Sequence, residues 1–198
     1  PIIALRTSTH AFKYDLNKAS PYAKYDWHST DWPGGFGQQV LGETWVNHHG
    51  NHGKERTRGL INEAFKANPV LRGVTDIWGP TDVYTVSHLP KDAQVLVWGQ
   101  VLSGMKPADP PVEGAKNHPM MPVVWLRGYT GEKGKTSKVL TTTMGAAVDL
   151  ENEGLRRLLI NGAYWAVGLE KSIPAKADVD YVGDYKPGWF GFGKFKPG

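Results

Sequence analysis

Residues 138–168 constrain the fold of this chain more than any other stretch. A strand pattern at 138–143 meets a Met144-Gly145 turn and then an apolar stripe at helical spacing. Leu155, Leu158, Leu159, Ala163, Ala166 and Val167 recur at steps that place them on one side of a helix. Asp149 stands where an N-cap is expected, Glu151 and Glu153 suit the positive end of the helix dipole, and Gly168 is a stop. A strand feeding a helix through a glycine turn is a building unit of layered α/β domains.

Further strands are expected at residues 1–5, 57–61, 82–86, 93–102 and 121–126, with a short helix within 36–45. Residues 11–38 lack periodicity and hold Tyr14, Tyr22, Tyr25, Trp27 and Trp32, so they read as a long aromatic surface segment. Residues 104–119 are rich in Pro, Gly, Asp and Lys and read as a loop. The domain is expected over 1–173, with a Gly-, Pro- and aromatic-rich tail over 174–198 that packs back on it. The chain opens at Pro1 inside an apolar run, which predicts that further residues precede it. Any export signal would precede it too, so the sequence fits a cytoplasmic or an exported protein.

Composition narrows the function. The 198 residues include no cysteine, which removes thiol nucleophiles, disulfides and cysteine-held zinc. The net charge of +4 comes from scattered lysines, and no nucleic-acid-binding motif is present, so the expected partner is a small molecule. No run of 18 apolar residues is available to span a membrane. A homo-oligomer is compatible with this composition.

In open α/β sheets ligands bind beyond the carboxyl ends of the strands. Two polar turns qualify, 6–10 and 143–147. His10 can act as a general acid or base near neutral pH, and so can His48 and His49. Arg6 can clamp a carboxylate, a phosphate or sugar hydroxyls. Trp78 can stack on a sugar ring while Asp82 accepts from its hydroxyls, with Tyr84 beside them. Thr143, Met144 and Gly145 offer backbone N–H groups to an anion. His48, His49 and His52 form a dense cluster for which a divalent metal is an option. Gly50 and Gly53 exclude a continuous helix there.

Several of these blocks carry a family resemblance. Leu5-Arg6-Thr7-Ser8-Thr9-His10-Ala11-Phe12, Gly42-Glu43-Thr44-Trp45-Val46-Asn47-His48-His49-Gly50 and Asp76-Ile77-Trp78-Gly79-Pro80-Thr81-Asp82-Val83-Tyr84 resemble ThuA-like sequences in that order. So do Asn117-His118-Pro119-Met120-Met121-Pro122-Val123, Thr141-Thr142-Thr143-Met144-Gly145-Ala146 and Glu153-Gly154-Leu155-Arg156-Arg157-Leu158-Leu159. The family is named for trehalose utilisation and belongs with the class I glutamine amidotransferase-like proteins. The resemblance implies a flavodoxin-like, open, mostly parallel sheet with helices on both faces, its first strands upstream of Pro1. It also implies binding or processing of a carbohydrate or an oxidised sugar derivative, by a hydrolase or lyase or by a non-catalytic module. In the amidotransferases the turn after the first of these strands bears a cysteine, and a histidine follows a later strand. Here those positions hold Arg6 and Met144-Gly145, so glutamine hydrolysis is not expected. A metal-dependent hydrolase using His48, His49 and His52 is the competing expectation.

Overall fold

A computed structural model describes residues 1–13, 17–189 and 191. Tyr14, Phe190 and Phe192 lie outside the described residues. Six strands form one sheet: β1 (Ile2–Leu5), β2 (Arg56–Ile61), β3 (Ile77–Gly79), β4 (Gln94–Leu102), β5 (Met121–Thr130) and β6 (Thr136–Thr142). Their spatial order is β1-β6-β5-β4-β2-β3. Among the described residues, α1 (Glu153–Ala166) is the one α-helix, and a π-helical turn covers Gly37–Leu41. No helix among the described residues is long and apolar enough to cross a membrane.

The expected flavodoxin-like, mostly parallel sheet with helices on both faces is overturned. The sheet is mixed and strongly curled, close to half a barrel. Only β1 and β6 run parallel; the other four pairings are antiparallel. The reason lies in the connections. A parallel neighbour needs a long crossover, usually a helix, whereas antiparallel neighbours need only a turn. β5 returns as β6 through residues 131–135, closed by Gly131 N–H on the Lys135 carbonyl at 3.0 Å with Gly134 at φ 72°. β4 reaches β5 through 103–120, which holds no helix.

The cover of the sheet is correspondingly unequal. On one side Leu155 and Leu158 of α1 enter a core with Ile77, Val97, Val124 and Leu140. On the other side Val40 and Leu41 pack with Ala4 and Val139, flanked by Trp32 and Phe36. Trp125 is fully buried, and its Nε1 donates to the Leu41 carbonyl at 2.8 Å, fastening the π-helical turn to the sheet. A strand buried on both faces reads as a continuous apolar run whether helix or loop covers it. Residues 138–143 hold Val139 and Leu140 among threonines, and so marked a strand without revealing its cover.

Three local expectations also change. Asn152 caps α1, accepting from Leu155 N at 2.8 Å, while Asp149 sits fully buried in a preceding 3-10 turn. Residues 82–86 form no named strand; Tyr84 makes one isolated bridge with His48, and the strand lies at Ile77–Gly79 instead. The helix expected within 36–45 contracts to the π-helical turn. From the tail, Ile173, Ala177 and Val179 are buried against the domain, whereas Trp189 is about half exposed.

Candidate functional site

Parallel pairing of β1 with β6 sets Leu5 beside Thr142, so the chain leaves both strands at the same edge. Arg6 begins the turn after β1 with φ 36°, a left-handed conformation that is strained for a side chain with a Cβ. Its N–H donates to the Met144 carbonyl at 3.1 Å, and its guanidinium turns inward. Nη1 donates to the carbonyls of Asp82 and Thr143, both at 3.0 Å, and Nη2 meets Asp82 Oδ1 at 2.9 Å. The Tyr84 ring lies 4.1 Å beneath the guanidinium carbon. Arg6 thus joins the two polar turns to the segment after β3.

Asp82 is the centre of the arrangement. Its side chain has no exposed area, yet three groups converge on it. Besides Arg6, His48 Nδ1 lies 2.6 Å from Oδ2 and His52 Nδ1 lies 2.9 Å from Oδ1. Burial alone would raise the pKa of this carboxyl; Arg6 and the two histidine hydrogen bonds outweigh it and hold the pKa below its ordinary value. His48 is placed by the backbone: residues 47–50 run beside 83–85, with His49 N and Gly50 N donating to the Val83 carbonyl and Thr85 N to Asn47. Gly50 permits this approach, since a Cβ there would lie 3.3 Å from both Asp82 Cβ and Val83 N.

His10 closes the turn that Arg6 opens. Its ring packs among Trp27, Trp45 and Tyr84, at centroid distances of 6.1, 5.5 and 6.2 Å. Its Nδ1 is buried without a hydrogen-bond partner. Burial, then Arg6, His48 and Lys13, lower its pKa, which favours the neutral ring. Trp45 also stands edge-on to His48 and Tyr84, so aromatic rings wall the cluster. Burial first, then the nearby Asp82 and Asp149, raise the Tyr84 pKa against the opposing pull of Arg6, which keeps its phenol protonated.

The structure therefore brings together Arg6, His10, His48, Asp82 and Tyr84. His49 points elsewhere, its Nε2 2.8 Å from the Lys116 carbonyl, so the triad His48, His49 and His52 is not formed and Asp82 takes the third place. Trp78 lies in β3 with the Arg56 guanidinium 5.0 Å from its ring centre. Thr143 contributes its carbonyl to Arg6, and Met144 is buried in the core. The N–H of Gly145 is already committed: it and Ala146 N donate to Asp149 Oδ2 at 2.9 and 3.1 Å. The same carboxylate accepts from Thr81 N and Thr81 Oγ1. An internal carboxylate thus occupies the anion position expected at this turn.

Sequence reasoning missed Trp27 and Trp45 as walls and His52 as a partner of Asp82. Trp45 stands three residues before His48 in the same block, which was the available signal. A concavity of about 770 Å³ lies between Lys24–Trp32 and the β5–β6 hairpin; Lys24, Asp31, Glu132, Lys133 and Lys135 line it, and none of these histidines does. Comparison with protein-family models, with characterised proteins and with solved structures finds no match.

Proposed function

We propose that this chain binds a carbohydrate or an oxidised sugar derivative at the Asp82 cluster and acts on it by general acid–base chemistry. The observation that carries this reading is the state of Asp82. Its fully buried carboxylate already has Arg6 as counter-ion, yet it also holds two imidazoles whose side chains remain 39% and 66% exposed. Internal packing does not require half-exposed histidines aimed at a buried acid. A site that must present oriented imidazoles to a ligand does.

The roles follow from the contacts. In the tautomer whose Nδ1 donates to Asp82, His48 and His52 present Nε2 as an acceptor for hydroxyl groups. Trp45, partly exposed, offers aromatic surface to the C–H face of a sugar, whereas Tyr84 is buried under Arg6 and only backs the site. His10 is the proton carrier: its Nδ1 is buried, so exchange with a ligand falls to Nε2, and its lowered pKa favours the neutral ring, which can accept a proton. In a keto sugar the C–H beside the carbonyl is acidic. His10 takes that proton, the electron pair moves to the carbonyl oxygen as an enolate, and reprotonation or loss of a neighbouring substituent completes an isomerisation or an elimination. The occupied N–H groups at Gly145 and Ala146 argue against an oxyanion pocket for acyl transfer at that turn. No cysteine is present for glutamine hydrolysis.

The likeness to ThuA-like sequences supports the same reading in one respect. The blocks that carry it supply Arg6 and His10, Trp45 and His48, Asp82 and Tyr84, and Thr143, which meet in this cluster although they are far apart in the chain. The test is a thermal-shift panel of trehalose, other disaccharides, their keto derivatives and sugar acids. A ligand at 100 times its Kd stabilises by about 2.7 kcal/mol. A shift with a sugar or keto sugar that disappears in His48→Asn supports the site. Equal shifts in both proteins, or none with any member, would remove it.

A further inference from the structure

We infer that His48, His52 and Asp82 form a binding site for one divalent transition-metal ion, with one nitrogen from each histidine and one oxygen of Asp82 as ligands. The inference rests on the reading of this cluster as the functional site and names its cofactor.

The three residues offer one donor atom each, all within 4.8 Å of one another. In a tetrahedral site with bonds of about 2.0–2.1 Å, neighbouring ligand atoms lie roughly 3.3 Å apart. His48 and His52 approach the Asp82 oxygens to 2.6 and 2.9 Å, hydrogen-bond distances shorter than that separation. A small outward movement of two rings replaces the shared protons by an ion. Both rings are free to make it, since the side chains are 39% and 66% exposed and lie on the open side of the buried acid. Water or ligand oxygens can reach the ion from that side, which is the feature that separates catalytic from closed structural sites.

Chemistry selects the class of ion. Two imidazoles with one carboxylate suit zinc, iron(II), cobalt(II) or manganese(II) better than calcium or magnesium, which prefer all-oxygen shells. Arg6 at 2.9 Å from Oδ1 helps keep the carboxylate ionised, and its own positive charge moderates the affinity. A hydroxy-ketone, the motif that distinguishes an oxidised sugar from its parent, carries two adjacent oxygens able to fill open positions on such an ion. The ion would then polarise the carbonyl whose neighbouring proton His10 removes.

The whole chain, stripped with a chelator and dialysed, is titrated calorimetrically with zinc and separately with cobalt(II), without sugar. One equivalent binds saturably. His52→Ala weakens binding by about 100-fold or more, beyond the roughly 10–100-fold lost when a residue that only supports a ligand is removed. Asp82→Asn weakens it similarly, and His49→Ala retains the wild-type stoichiometry. His52 is largely exposed, so its variant is expected to fold, which circular dichroism verifies. No saturable binding of either ion, or wild-type affinity in His52→Ala, overturns the assignment. Because the titration contains no sugar, its failure removes the metal alone; metal binding without any sugar response removes the sugar reading alone.

Discussion

Replacing Arg6 by Met isolates the interaction on which the cluster depends. Met keeps much of the side-chain volume and the same Cβ at φ 36°, so the backbone strain is unchanged and the loss falls on the guanidinium. That loss leaves the fully buried Asp82 carboxylate without its guanidinium counter-ion, held by the two histidines alone, and deprives the Asp82 and Thr143 carbonyls of their shared donor. Removing one partner of a buried ion pair costs about 3–5 kcal/mol, because the remaining charge is left without compensation. For a domain of this length each kcal/mol lowers Tm by about 2–4 °C, so the expected fall is roughly 6–20 °C. Urea denaturation followed by tryptophan fluorescence gives the free energy directly. The same cost predicts a coupling with Asp82→Asn, in which the charge itself is gone: the double variant is less destabilised than the sum of the singles, by about 0.5–3 kcal/mol. A loss below about 0.5 kcal/mol for Arg6→Met, the range of ordinary surface changes, would refute the reasoning. Strict additivity would refute the pairing.

Two further outcomes follow from neighbouring contacts. Gly79→Ala places a Cβ 2.6 Å from Asp149 Oδ1 and 2.8 Å from Met144 Cε, so it loosens the carboxylate that binds Thr81 and Gly145. The expected cost is about 1–3 kcal/mol, measured as a fall in Tm; an unchanged Tm would show that Asp149 moves freely. Burial, then Arg6, hold the folded pKa of His10 below its ordinary value of about 6.5, so the unfolded chain binds that proton first as pH falls. Its contribution is absent above pH 6.5 and becomes destabilising as pH drops from there toward the folded pKa. His10→Gln should therefore lose less stability than the wild type between pH 7.5 and 5.5, as urea midpoints report; equal losses would contradict it.

Parts of this site were legible in the sequence. Arg6 follows an apolar run and Thr143 ends a strand pattern, and ligand sites gather where such strands end. Pairing β1 with β6 in parallel puts those ends together. The choice among the histidines was not legible. His48 bridges Tyr84 and so faces Asp82, whereas the chain bends at His49, whose ring turns to the Lys116 carbonyl. Two glycines in 47–53 marked a loop but not this single bridge. His52 returns to the acid because the chain turns after Gly50, which spacing alone does not reveal. The single helix was readable from its stripe, but Asn152 rather than Asp149 caps it, because Asp149 is engaged with Thr81, a contact 68 residues away in sequence. The sheet was misread for a similar reason. β4 and β5 carry apolar runs like those of buried parallel strands, β6 is polar in composition yet buried over 139–142, and only the helix-free connections 103–120 and 131–135 mark the three as antiparallel.

The central claim is that the Asp82 cluster with His10 moves a proton on a sugar. Nuclear magnetic resonance of keto-disaccharides in deuterated buffer tests it most directly, by following deuterium uptake at the carbon beside the carbonyl, or the elimination product, with the protein supplemented with zinc or cobalt(II). The account predicts exchange or elimination well above the buffer rate, lost in His10→Asn and strongly reduced in His48→Asn. Buffer-rate exchange with a keto sugar that demonstrably binds, or full activity in His10→Asn, would contradict it.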